Sequence, residues 1–137
     1  MNHIHYTNKI PDIDDFITLY ESTGWNDKSN LPKDLFFNAL KNSWYFVSAY
    51  ADNRFVGCGR IISDGYLHAF ITEMIISSEY RMKGVGKEIL KQLVGKALEC
   101  GIKYIQLFCA KGKEEFYLKN GFEKRPDDAS GMQYKIQ

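Results

Sequence analysis

The chain has 137 residues, 45% apolar and 26% charged, which suits a single domain spanning residues 1–137 that buries about two-thirds of its unfolded surface. With 18 basic against 17 acidic residues the net charge is +1, which gives no field to attract nucleic acid, and no apolar run approaches the ~20 residues of a membrane span. Cys58, Cys100 and Cys109 form no Cys-x-x-Cys pair and leave an odd count, and the Met1-Asn2-His3 start has no basic-then-apolar leader, so the expectation is a reduced, cytoplasmic protein.

Residues 3–6 read as a short aromatic strand. His3 and His5 share one of its faces, but no third ligand accompanies them and no metal site is expected. Asp12 opens a helix in which Ile13, Phe16, Ile17, Leu19 and Tyr20 repeat at helical spacing, ending near Gly24. The polar loop 24–30 carries Trp25 at its centre, placed either to plug the gap between two helices or to meet a substrate. Pro32 begins a second helix running to about Asn42, with Leu35, Phe36, Ala39 and Leu40 inward.

From Trp44 the period changes to two. Residues 44–51 and 54–63 are strands joined by the hairpin pair Asp52-Asn53, and a turn at Asp64-Gly65 leads into a third strand, 66–77, completing an antiparallel meander. Gly57 and Gly59 weaken their strand intrinsically and signal either a close backbone approach or a bulge. Residues 70–76 are apolar on both faces, as in a central strand covered on both sides. Glu73 is the anomaly in that run, a carboxylate at the end of a cleft, desolvated, or ion-paired.

Arg81-Met82-Lys83-Gly84-Val85-Gly86-Lys87 then joins this strand to a helix whose face carries Val85, Ile89, Leu90, Leu93, Val94, Ala97 and Leu98. The first amides of such a helix lack internal partners and point outward with the helix dipole, making an anion site. Arg81, Lys83 and Lys87 add cations suited to several phosphate charges. A Walker A loop is excluded because Arg81 and Glu88 stand where Gly and Ser or Thr are needed, and a dinucleotide fingerprint because Ile89 holds the place of its third glycine. Gly101 caps the helix, residues 103–109 form the next strand, parallel to the Glu73 strand, and 112–120 form a short helix capped by Gly121. Residues 122–125 and 132–136 read as two final strands.

The pattern Arg-x-x-Gly-x-Gly between a strand and an amphipathic helix resembles the acetyl-coenzyme A motif of the GNAT superfamily of N-acetyltransferases. Phe116-Tyr117-Leu118-Lys119-Asn120-Gly121-Phe122 resembles that family's Phe-Tyr-x-x-x-Gly-Phe signature. Ser78 stands where the family often has Pro, and Met82 where it often has Gly or another small or polar residue.

The resemblance implies an α/β (α+β) GNAT fold: a mixed central sheet of about six to seven strands flanked by four helices, with a β-α-β core for the coenzyme. It implies that the amides from Arg81 to Lys87 (Arg81, Met82, Lys83, Gly84, Val85, Gly86, Lys87) hold pyrophosphate, and that the backbone of Met74, Ile75 and Ile76 pairs with the pantetheine arm. Glu73 falls in the place of a general base and Tyr117 in that of the tyrosine facing the leaving sulfur. Tyr20, Trp25, Arg60, Ser63 and Asp64 are candidate substrate-cleft residues. The expected reaction is direct transfer of acetyl from acetyl-coenzyme A to an amine of a small molecule or peptide. The alternatives are a non-catalytic acyl-coenzyme A sensor or interaction module, and a protein lysine acetyltransferase. Small members of the family are often dimers, so a homodimer is also an expectation.

Overall fold

In the computed structural model, which describes residues 3–136, the alternating middle of the chain becomes the centre of a five-stranded mixed sheet. The strands are β1 (Ile4–Thr7), β2 (Tyr45–Ala51), β3 (Arg54–Ser63), β4 (His68–Ile76) and β5 (Tyr104–Leu107), arranged in sequence order. The helices are α1 (Ile13–Glu21), α2 (Lys33–Lys41), α3 (Val85–Glu99) and α4 (Glu114–Lys119). No helix among the described residues is long and apolar enough to cross a membrane.

Local chemistry sets the boundaries. Asp12 caps α1 through its Oδ1, which accepts from the N–H groups of Asp14 at 2.9 Å and Asp15 at 3.3 Å. Asp52 and Asn53 both adopt left-handed φ, 50° and 67°, as a two-residue hairpin turn between right-twisted strands demands. At the end of α3, Gly101 takes φ 80° and the N–H of Ile102 bonds back to the carbonyl of Ala97 at 3.0 Å.

The sheet is covered on both faces. On one, α1 and α2 bring Phe16, Leu19, Phe36 and Leu40 against Phe46, Cys58 and Ile75. Phe16 is fully buried, a contribution of about 2–3 kcal/mol from its area alone. On the other face, α3 buries Val85, Ile89, Leu93 and Ala97. Leu35 and Leu98, expected inward, lie at the edges of their helical stripes and are exposed.

Gly57 and Gly59 face α3, and the two readings open for them are both realised. A Cβ on Gly59 would lie 2.5 Å from Met74 Sδ, 2.9 Å from Leu93 Cδ1 and 3.0 Å from Ile89 Cγ2, and one on Gly57 would lie 2.9 Å from Ile76 Cδ1. Opposite Gly59, β4 carries one residue too many: Cys58 pairs with Ile75 but Arg60 pairs with Thr72, so Glu73 and Met74 share a single partner. Glu73 is the bulged residue, with φ +50°.

The chain divides into two compact units, Met1–Gln106 and Leu107–Gln137. Within the second, α4 ends where the N–H groups of Asn120 and Phe122 both reach the carbonyl of Tyr117, at 3.0 and 3.1 Å, around the left-handed Gly121. The two final strands expected at 122–125 and 132–136 are not formed, so the sheet has five strands where six or seven were expected. Hydrogen bonds there are spent locally: Arg125 Nε donates to Ala129 O at 2.9 Å around a single 3-10 turn, Asp127–Ala129. Met132, Tyr134 and Ile136, the apolar half of the second alternation, are exposed, and alternation stabilises a strand only when one face is covered.

Gly59→Ala should destabilise the fold by roughly 1–3 kcal/mol, because the added methyl meets the fully buried Leu93 and Ile89 as well as the more adaptable Met74. Urea unfolding measures this; a variant as stable as the parent would contradict the close packing of α3 on β3.

Candidate active site

Two features of β4 define the site in the first unit: the turn that follows the strand and the bulge inside it. After Ile76 a 3-10 turn, Ser78–Tyr80, leads into the glycine turn, in which Met82 has φ 62° and Gly84 φ 85°. Gly84 is the N-cap of α3 and has no side chain to cap it; the first helical bond runs from Glu88 N–H to Gly84 O at 3.1 Å. The amides of Val85, Gly86 and Lys87 therefore have no partner within the helix. A Cβ on Gly84 would meet nothing within 4 Å, so the approach to these amides is open. Arg81 and Lys83 are anchored beside the turn, Arg81 Nε donating to Ile76 O at 3.3 Å and Lys83 Nζ lying 5.4 Å from the centre of the Tyr80 ring. Arg81, Met82, Lys83, Gly84 and Lys87 are exposed, and Val85 is a buried anchor. An open row of amides ringed by cations fits a pyrophosphate.

At the bulge, the side chains of two consecutive residues meet. Thr72 Oγ1 donates to Glu73 Oε2 at 2.6 Å, and Arg60 Nε donates to Glu73 Oε1 at 2.6 Å. Strict alternation would send Thr72 and Glu73 to opposite faces; the extra residue brings both to the side of Arg60. The side chains of Arg60 and Glu73 are 10% and 19% exposed, so the pair is largely dry yet the carboxylate is reachable. Arg60 Nη1 also donates to Ala39 O in the last turn of α2 and to Ser43 Oγ, each at 3.2 Å. Of the residues expected to pair with the coenzyme arm, Ile75 is buried and Met74 and Ile76 are half-buried, with Ile75 and Ile76 in register with Cys58 and Gly57 of β3.

The candidate cleft residues separate into two groups. Tyr20 is within electrostatic reach of the carboxylate: burial raises its phenol above the usual value, the charge of Glu73 adds to this and Arg60 opposes it. Its ring packs 4.8 Å from that of Phe36, and Trp25 meets it edge-on at 5.7 Å while remaining 44% exposed. Ser63 and Asp64 instead build the β3–β4 turn. Ser63 Oγ donates to His68 O at 2.6 Å, and Asp64 Oδ1 accepts from the amides of Tyr66, Leu67 and His68 at 2.8, 2.8 and 3.2 Å. Those amides, Tyr66 first, hold the Asp64 carboxyl below its usual range.

In the second unit, Tyr117 sits on α4 between Phe116 and Phe122, both rings edge-on at 5.0 and 5.7 Å. Burial pushes its phenol up to about 12, with Cys109 adding to the shift. Cys58 is buried, and burial first, then the charge of Glu73, pushes its thiol far up, which leaves it inert. Among the described residues no three His, Cys, Asp or Glu side chains gather as a metal site. Thr72 and Ser43, which complete the polar cluster, carry no signal in the sequence, because the bulge that turns Thr72 toward Glu73 breaks the alternation from which faces are read.

The fold and the turn place the chain among known proteins. The acetyltransferase (GNAT) family model matches residues 10–122, and the chain belongs to that family. It is 33% identical over 118 residues, 83% of its length, to an "Uncharacterized N-acetyltransferase ycf52" of Pyropia yezoensis, and spans 66% of that relative. A GNAT-family acetyltransferase of Streptococcus pneumoniae has 25% identity and a TM-score of 0.81, with 100% of this chain and 99% of that one covered. A Clostridium acetobutylicum chain described as "predicted acetyltransferase with acetyl-CoA" superimposes with a TM-score of 0.69 at 22% identity, over 96% of each chain.

The Tyr117 phenol has its own signature. Because its folded value lies above the ordinary 10.0, the folded state keeps the proton that the unfolded state loses, so stability drawn from this group is full below about pH 10 and lost toward about 12. Burial also raises the phenols of Tyr6, Tyr20 and Tyr50, so an ultraviolet tyrosinate titration should show several late phenols, of which the last to titrate disappears in Tyr117→Phe; an unchanged titration curve would contradict the burial.

Proposed function

We propose that this chain transfers acetyl from acetyl-coenzyme A directly to an amine of a small molecule or peptide. The observation that carries the reading is the open amide turn at Gly84, leading out of the same strand that holds an accessible carboxylate at a bulge. The amides from Arg81 to Lys87 would hold pyrophosphate, and the backbone of Met74, Ile75 and Ile76 would pair with the pantetheine arm like an added strand. When bound, the coenzyme supplies an activated thioester.

The acceptor nitrogen must reach that carbonyl as a free amine. An alkylamine with a pKa near ~10.4 has to shed a proton at a cost of about 4.6 kcal/mol at neutral pH, and an ordinary carboxylate is a weak base for the task. Glu73 therefore takes the proton through a water relay to solvent, or from a less basic nitrogen such as an arylamine. Its carboxylate accepts one bond at each oxygen and retains lone pairs for the amine or the water. Tyr20 and Trp25 offer aromatic surface to the body of the acceptor beside this carboxylate.

As C–N forms and C–S breaks, the electron pair leaves on sulfur. Tyr117 is assigned to that sulfur on its place in the Phe116–Phe122 motif. With its phenol at about 12 against a thiol near ~8.5, complete proton transfer is uphill by about 5 kcal/mol. Tyr117 is thus a hydrogen-bond donor to the developing thiolate and not its acid.

Release of free coenzyme A thiol from acetyl-coenzyme A, read against aryl-alkylamines, polyamines, amino acids and a lysine peptide, tests the reaction. Acceptor-dependent release is expected with at least one class. Coenzyme binding without release for any acceptor would favour a non-catalytic acyl-coenzyme A sensor, and release with the lysine peptide alone a protein acetyltransferase. Gly86→Glu, which sets a carboxylate among the amides, should weaken coenzyme binding on the order of 100-fold by calorimetry, about 2.7 kcal/mol. Affinity equal to the parent would sink the turn assignment.

A further inference from the structure

The geometry points to Arg60 as a positioning residue for the transfer reaction: it acts on the acceptor through Glu73, holding the bulged carboxylate against α2, and is not itself a contact of the acceptor. This rests on the reading of Glu73 as the proton acceptor.

Three observations converge. The first is that the Arg60 side chain is only 10% exposed, with Nε on Glu73 Oε1 at 2.6 Å and Nη1 shared between Ala39 O and Ser43 Oγ at 3.2 Å each, so two of its three nitrogens are committed to protein acceptors. The second is that Glu73 stands in a left-handed conformation, φ +50°, which is strained for a residue with a Cβ and persists only where its surroundings enforce it. The guanidinium, with Thr72 Oγ1 on the other oxygen, is the enforcing contact on the side chain. The third is that the far side of the same guanidinium ties down the last turn of α2, the helix whose Phe36 packs on Tyr20 at 4.8 Å. One planar, permanently charged group thereby fixes the carboxylate relative to the aromatic wall.

A lysine could supply charge but not this geometry. Its ammonium is a single point on a flexible stem, whereas here two nitrogens of one planar fork serve the carboxylate on one side and Ala39 O with Ser43 Oγ on the other. The consequence is kinetic: a base displaced by about 1 Å loses on the order of 100-fold in rate while the remote phosphate contacts are untouched.

A double-mutant cycle on kcat tests this, with coenzyme affinity as the check on folding. Arg60→Met and Glu73→Gln should each lower kcat roughly 100-fold with the KM for acetyl-coenzyme A unchanged, and the double variant should be no slower than Glu73→Gln alone. Arg60→Lys should recover only part of the lost rate. Multiplying effects in the double variant, or a higher KM for the amine at full kcat in Arg60→Lys, would overturn the positioning role while parental turnover leaves the transfer reading standing. No turnover by the parent with any amine would remove the transfer reading, and this role with it.

Discussion

The structure turns on one extra residue in β4. Opposite Gly59 the strand carries both Glu73 and Met74, and the crowding around that glycine explains why the excess cannot be absorbed elsewhere: Met74, Ile89 and Leu93 already occupy the space on the α3 face. Met74 keeps to that packed side, and Glu73 turns to the face of α1 and α2, where Thr72 and Arg60 bind both of its oxygens. A strand without the bulge would alternate, and Thr72 and Glu73 would part.

The ion pair this creates contributes to position more than to stability. Dehydrating two charges costs about what their attraction returns, so a largely buried pair is weak grounds for a stable fold. Its effect is on direction, since Arg60 joins β3, β4 and the end of α2 at one point. Further along β4, the glycine turn exposes a second kind of preorganised polarity, amides without helical partners at the start of α3. Strand, bulge and turn together set a carboxylate inside β4 and a row of unpartnered amides at the start of the helix that follows it.

Much of this was legible in the residues. The meander, the caps at Asp12 and Gly101, the hairpin pair Asp52-Asn53 and the turn at Gly84 follow from local chemistry, and the four expected helices all form, the first three on apolar periodicity. Gly59 announced an irregularity but not its partner strand, because a bulge depends on register between strands that no single segment encodes. Arg60 read as a substrate-cleft residue, since its three acceptors come from distant segments at positions 39, 43 and 73. Ser63 and Asp64 read as cleft residues for a related reason: polar side chains next to a glycine serve a turn or a ligand equally well, and here their atoms meet the amides of the turn. The C-terminal alternation was misleading in the opposite sense, having the pattern of a strand without a covered face.

Amide chemical shifts followed during titration with acetyl-coenzyme A test the account most directly, because they report on each backbone group separately and need no acceptor. Saturable shifts are expected at the amides of the Arg81–Lys87 turn and at Met74, Ile75 and Ile76, with smaller ones at Glu73. Binding that left both stretches unmoved while shifting amides elsewhere would contradict the assignment of β4 and its turn to the coenzyme.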